Sequence, residues 1–154
     1  MLLVALVTMS MNLWGAETTL VNFTGDTSSD LTSLEYVSAS GLGSDYTEAN
    51  APYRVKLDGT GDYILLSLPS VPTSIAIDVK MLGGASASSI KLQECATTDG
   101  SFTDVETMSI SGSQNAVIEF TSSSTYHQKY IKLLFTKGSN VGLGKLVVTA
   151  SGST

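Results

Sequence analysis

One histidine, His127, and one cysteine, Cys95, are all that the 154 residues offer for imidazole or thiolate chemistry. A serine hydrolase needs a Ser supported by a His and an acid on a shaped nucleophile turn. No Gly-x-Ser-x-Gly occurs, and Ser is so abundant that no single one stands out. Cys95 falls within a strand-like run beside Glu94, with no turn or helix N-terminus to activate a thiolate. Glu94, Glu106 and Glu119 lie on successive runs and could share a face, and two carboxyls about 5 to 9 Å apart can hydrolyse a glycoside. A single domain offers little cleft wall for such a substrate, so these three read as solvated carboxylates. The expectation is a protein that is not an enzyme.

Binding chemistry has better candidates. A sugar is recognised by an aromatic ring under the apolar face of a pyranose and by planar polar groups for its hydroxyls. The only Trp, Trp14, belongs to the N-terminal segment before Glu17. Tyr46, Tyr53, Tyr126 and His127 remain, with Arg54 and Gln128 as polar partners. Tyr46, in a long loop, and the Tyr126-His127 pair are expected to be the best exposed. Tyrosine is also an ordinary residue of a sandwich edge. No cofactor is expected. Calcium is the ion that the loop carboxylates would suit, as a structural pin, with Asp26 and Asp30 as ligands and Asp45 with Glu48 or Asp58 with Asp62 as further pairs. None has EF-hand spacing, and turn geometry accounts for most of them.

The composition narrows the partners. Charged residues are 14% of the chain, against about 25% in an average protein, while 42% are hydrophobic and mean hydropathy is +0.20. That is the reverse of a disordered composition. A net charge of -6 argues against a nucleic-acid binder, which needs a basic stripe. A lone Cys excludes an intrachain disulfide framework and a thiolate zinc cluster.

The elements that would position these residues are strands. From Glu17 onward no window has the i, i+3, i+4, i+7 spacing of an amphipathic helix; short alternating runs recur between Gly, Ser, Asp and Pro. Val55 and Leu57, Ile75 to Met81, Ile90 to Glu94, Ile118 with Phe120, Ile131 to Phe135, and Leu146 with Val148 each mark an inward register. Tyr63-Ile64-Leu65-Leu66 is apolar on both faces and predicts a central strand covered on each side. Asp58-Gly59-Thr60-Gly61-Asp62 and Asp99-Gly100 predict hairpin turns. About ten strands at spacings of about 8 to 12 residues indicate an all-β, antiparallel β-sandwich of jelly-roll type. Residues 26–52 form the least regular region, with one strand expected from Leu34 to Ser38.

Residues 1–16 differ from the rest. Leu2 to Val7 form an apolar run, and the chain turns polar at Glu17 after Gly15-Ala16. This is the outline of a secretory signal peptide, too short to span a bilayer. No Lys or Arg precedes the run, which a start codon placed too late would explain. The expected order is a leader at 1–16, a sandwich domain at 17–151, and the start of a linker at 152–154, in a secreted or cell-surface protein.

The second half carries a further pattern. Ile90-Lys91-Leu92-Gln93 leads to Thr98-Asp99-Gly100-Ser101-Phe102-Thr103-Asp104-Val105, then Lys129-Tyr130-Ile131-Lys132-Leu133 and the final strand Leu143 to Thr149. This order resembles the galactose-binding-like (discoidin-like) jelly-roll modules, above all the Ser/Thr-rich ones of secreted Bacteroidetes proteins that accompany surface enzymes and adhesins. The resemblance implies the fold; the disulfide that joins the chain ends in that family has no counterpart, because Cys95 is alone. Two functions follow as expectations. One is a carbohydrate-binding module within a longer secreted protein, its partner a glycan. The other is a structural or adhesive module that meets a surface protein or neighbouring domains through apolar outward residues such as Leu134 and Val147.

Overall fold

The structure is a computed structural model that describes residues 15–152. The expected leader falls almost wholly outside the described residues, as do Ser153 and Thr154 of the expected tail. Alternation of branched apolar and polar residues produces ten strands: β1 (Glu17–Phe23), β2 (Val37–Ser40), β3 (Val55–Leu57), β4 (Tyr63–Ser67), β5 (Pro72–Met81), β6 (Ser88–Cys95), β7 (Thr103–Ile110), β8 (Val117–Thr121), β9 (Tyr130–Thr136) and β10 (Val141–Ser151). Helical pieces among the described residues are α1 (Ser28–Thr32) and a single 3-10 turn, Glu48–Asn50. Thr27 caps α1 in a capping box with Asp30, and Leu31 is the residue that α1 buries.

The strands form two antiparallel sheets. The first runs β1-β10-β5-β8, with β3 paired to the opening residues of β10, and the second runs β2-β4-β9-β6-β7. Their facing sides supply one core. Val55, Ile75, Ile77 and Val79 of the first sheet meet Leu66, Leu92, Ile131 and Phe135 of the second, all at 1% exposure or less. Leu31 plugs this core from α1. Of the inward residues expected from the alternation, Ile118 and Phe120 are only half-buried, because β8 is an edge strand. Met108 and Ile110 on β7, which the alternation did not single out, are fully buried.

Three expectations change. Asp58 to Asp62 do not close a hairpin: β3 pairs with β10 while β4 pairs with β2 and β9, so the turn carries the chain from one sheet to the other. Asp62 is buried and its carboxylate accepts the N–H groups of Asp58 and Gly59, which fixes that turn. β4 is central within its sheet, but Tyr63 and Leu65 on its outer side are only half-buried; the Lys132 ammonium lies over the Tyr63 ring, 5.0 Å from its centroid. The strand expected from Leu34 begins instead at Val37, after Tyr36 adopts φ 71°. The Asp99-Gly100 turn does join a hairpin, β6 to β7.

Candidate functional site

The start of β1, the end of β10 and the loops 68–71, 96–102 and 122–129 gather at one end of the sandwich. A cleft of about 640 Å³ opens there between residues 70–73 and 122–126, with Ser151 completing its lining. Seven of its ten lining residues are Ser or Thr and none is charged. Val71, 39% exposed, and Pro72 supply an apolar lip.

The wall formed by 122–128 is an irregular segment that crosses from the first sheet to the second, and two carboxylates hold it. Glu106 pairs with Leu92 across the β6–β7 ladder, and Glu94 follows Leu92 by two residues, so both take the core-facing side at the rim. Glu106 Oε2 accepts from Ser122 Oγ at 2.6 Å and from the N–H groups of Ser123 and Ser124 at 3.2 Å, while its Oε1 accepts from Ser123 Oγ at 3.0 Å. Glu94 Oε2 accepts the N–H groups of His127 at 2.7 Å and Gln128 at 3.0 Å. Partial burial pulls the Glu106 carboxyl up, but the bonds from Ser122, Ser123 and Ser124 outweigh it and hold the group below its ordinary value.

Tyr126, expected exposed, is 4% exposed and part of the core cluster. A loop bridging two sheets must fill the gap between them, and Tyr126 does so, its hydroxyl 2.7 Å from Ser122 Oγ. Burial pushes that hydroxyl up to about 12. His127 is the exposed member of the pair, its side chain 73% exposed with Nδ1 3.5 Å from Glu94 Oε1. Gln128 is half-buried beside it.

The other sequence candidates collect at the opposite end. Tyr53 lies across β10, where a side chain at Gly144 would collide with its ring. Gly144 and Ser151 are seven residues apart on β10, about 23 Å at the rise of a strand. Arg54 Nη1 is 2.8 Å from Asp26 Oδ1, and its Nε donates to the Tyr46 carbonyl at 2.9 Å. Asp26 also bridges to Tyr53. Asp26, Tyr46, Tyr53 and Arg54 therefore converge, but the Arg54 head is engaged in tying two loops together. Tyr46 is half-buried, with the Lys56 ammonium 5.3 Å from its ring centroid. Its hydroxyl and Asn140 Oδ1 are both buried with no well-formed hydrogen bond, and burial raises that hydroxyl against a smaller lowering by the adjacent Asn140. Asp30 turns to Thr27, whose side-chain and backbone hydrogen bonds lower its carboxyl. Asp26 and Asp30 thus serve different partners and present no shared ligand set. Among the described residues no group of three or more His, Cys, Asp or Glu could hold a metal ion.

Nor do the three glutamates share a face. Glu119 pairs with Asp78 on the outward register of the first sheet, away from Glu94 and Glu106. The parity of β6 places Glu94 inward in the sequence, and a charged residue in an inward position at a strand end is the available sign of a loop anchor. The wall 70–73 carries no such sign beyond Pro69 and Pro72.

No family model matches the chain, and no curated protein matches it. Solved structures do match. A xylan-binding domain from CBM22 gives a TM-score of 0.56 at 11% identity, covering 88% of this chain and 97% of that one. The C-terminal family 22 carbohydrate binding module of Clostridium thermocellum endo-1,4-beta-D-xylanase 10B gives 0.55 at 11% identity, covering 88% and 96%. Truncated AlyQ, with CBM32 and alginate lyase domains, gives 0.52 at 18% identity over 91% of this chain, which spans about a third (35%) of that longer protein. At these identities the likeness is one of fold: an antiparallel β-sandwich of jelly-roll type, as the strand pattern of the sequence implied.

Proposed function

We propose that the chain is a non-catalytic carbohydrate-binding module of a secreted or surface protein, with its glycan site in the cleft between residues 70–73 and 122–126. The observation that carries this reading is the lining: neutral hydroxyls on both walls with an apolar lip at Val71 and Pro72. Hydroxyl oxygens on both walls can accept from sugar O–H groups, those of Ser124 and Thr125 can also donate, and an apolar lip suits the C–H face of a pyranose. Solved carbohydrate-binding modules share the fold, which supports this reading by analogy. The engagement of Glu94 and Glu106 with backbone N–H groups supports the absence of catalysis. Export is supported by the apolar run before Glu17, and no helix among the described residues is long and apolar enough to cross a membrane.

The adhesive reading needs an exposed apolar sheet face, and its two markers, Leu134 and Val147, are half-buried. A glycan array with the full chain tests the choice. Binding to a neutral glycan that Val71→Glu weakens at least about tenfold, with the fold intact, upholds the module reading. Silence across plant, mucin and host glycans from folded protein overturns it. Intact mass of the chain recovered from its native host tests export; a cytoplasmic species that retains Met1 contradicts it.

A further inference from the structure

We infer that the cleft discriminates by charge: it takes a neutral or cationic glycan and turns away uronates and sulfates, because carboxylates behind both walls take up the protons of four of its eight lining hydroxyls. This rests on the cleft being the glycan site. An ionised carboxylate only accepts hydrogen bonds, and a hydroxyl has one proton to give. Ser122 Oγ and Ser123 Oγ lie 2.6 Å and 3.0 Å from Glu106, so both serines donate inward. Ser122 Oγ is then an acceptor for Tyr126, whose proton is committed in turn at 2.7 Å. The N–H groups of Ser123 and Ser124 are held by the same carboxylate. On the other wall Thr73 Oγ1 donates to Glu17 Oε1 at 3.2 Å.

Four lining side chains, Ser122, Ser123, Tyr126 and Thr73, therefore have no proton left for a ligand. No Lys, Arg or His joins the lining to pair with an anion. An entering carboxylate would lose its water, find donors only at Ser70, Ser124, Thr125 and Ser151, meet lone pairs at the other four hydroxyls, and feel two like charges behind the walls. A sugar hydroxyl loses nothing, since it can donate to those lone pairs and accept from the rotatable hydroxyls of Ser124 and Thr125. An amino sugar gains from the carboxylates.

Glu106→Gln is the informative variant. Its amide oxygen can still accept from Ser122 and the two N–H groups, while its NH₂ faces Ser123 Oγ and frees that hydroxyl proton for the cleft. The probes are matched β-1,4-linked oligomers measured by affinity electrophoresis and calorimetry: cello-oligosaccharides with their C6-oxidised forms and with chitosan oligomers. The wild-type chain should hold a neutral or amino polymer and not its uronate partner, and Glu106→Gln should narrow that gap by roughly tenfold. Should that variant fail to fold, Glu17→Gln on the exposed wall carries the same test with a smaller effect. Equal wild-type affinity for a neutral polymer and its uronate overturns the inference, and so does an unchanged ratio in both variants. Retention of no polymer at all by folded protein fails the glycan reading itself. The hydroxyl network is then checked without ligand: a Tyr126 hydroxyl proton exchanging freely with water in NMR spectra overturns it.

Discussion

The backbone N–H of His127 donates to Glu94 Oε2 at 2.7 Å, across 33 residues of sequence. With the neighbouring bond from Gln128 it fastens the loop between β8 and β9 to the rim of β6. Bonds from backbone N–H to a charged acceptor contribute about 1.5 to 3 kcal/mol each. The two bonds together would come to about 3 to 6 kcal/mol, and since the His127 N–H is exposed and water can replace part of the loss, Glu94→Ala should cost about 2 to 4 kcal/mol of unfolding free energy, and Glu94→Gln, which keeps an acceptor, clearly less. Urea denaturation of both variants measures the difference.

Glu106 makes the stability depend on pH. Its hydrogen bonds hold the folded carboxyl below the ordinary glutamate value of 4.5. A group with a depressed folded pKa contributes stability above its unfolded value and loses that contribution as pH falls through the folded one. The gap in stability between wild type and Glu106→Gln should be full at pH 7, shrink below about pH 4.5, and close in stronger acid. Glu94 and Tyr126 are the titratable neighbours facing Glu106; Tyr126, pushed up to about 12, stays neutral throughout this window. Denaturation midpoints of the two proteins from pH 7 to pH 2.5 measure it, and a gap that widens on acidification would contradict the assignment.

Leu31 is the single residue by which α1 enters the core, at 0% exposure. Leu31→Ala should cost about 2 to 5 kcal/mol, the range for emptying a closed site. Thr27→Ala, which removes the cap but leaves the plug, should cost about 1 kcal/mol. Thermal unfolding of the two variants orders them, and equal losses would mean that the cap, not the plug, holds the segment.

The two ends of the sandwich make opposite predictions for binding. Arg54→Ala releases Asp26 and the Tyr46 carbonyl, and because Asp26 is half exposed the cost should stay near 1 kcal/mol or below. Neither Arg54→Ala nor Tyr46→Ala should alter glycan affinity if the cleft near Ser151 is the site. A tenfold loss in either would move the site to the Tyr53 end.

What was legible in the sequence was whatever depends on alternation. Ile75, Ile77 and Val79 declared their inward face, and the Asp99-Gly100 hairpin declared its turn, because both are local. Asp58 to Asp62 misled for the same reason: a glycine-rich turn fixes a reversal of direction, not which sheet the next strand joins, and β3 and β4 part company there. Tyr126 misled more instructively. A tyrosine in a loop before a strand reads as exposed, yet a loop that spans two sheets needs one large side chain to fill the space beneath it. Glu94 and Glu106 were visible as residues but not as holders of that loop, since their partners are backbone groups, and backbone groups have no letter in the sequence.

The ladder between β1 and β10 begins at the pair Glu17 and Ser151, and Gly152 N–H donates to the Ala16 carbonyl at 2.8 Å just outside it. Entry and exit of the domain are therefore neighbouring strands running in opposite directions. Tension applied to both ends would load this ladder as a zipper, breaking its bonds one pair at a time from Gly152 inward, and not as a lap joint in which all must shear together. A domain anchored through both ends would be mechanically soft there. The first strand to peel away would expose the inward side of Val148 and Ala150 next to Ser151, at the border of the cleft.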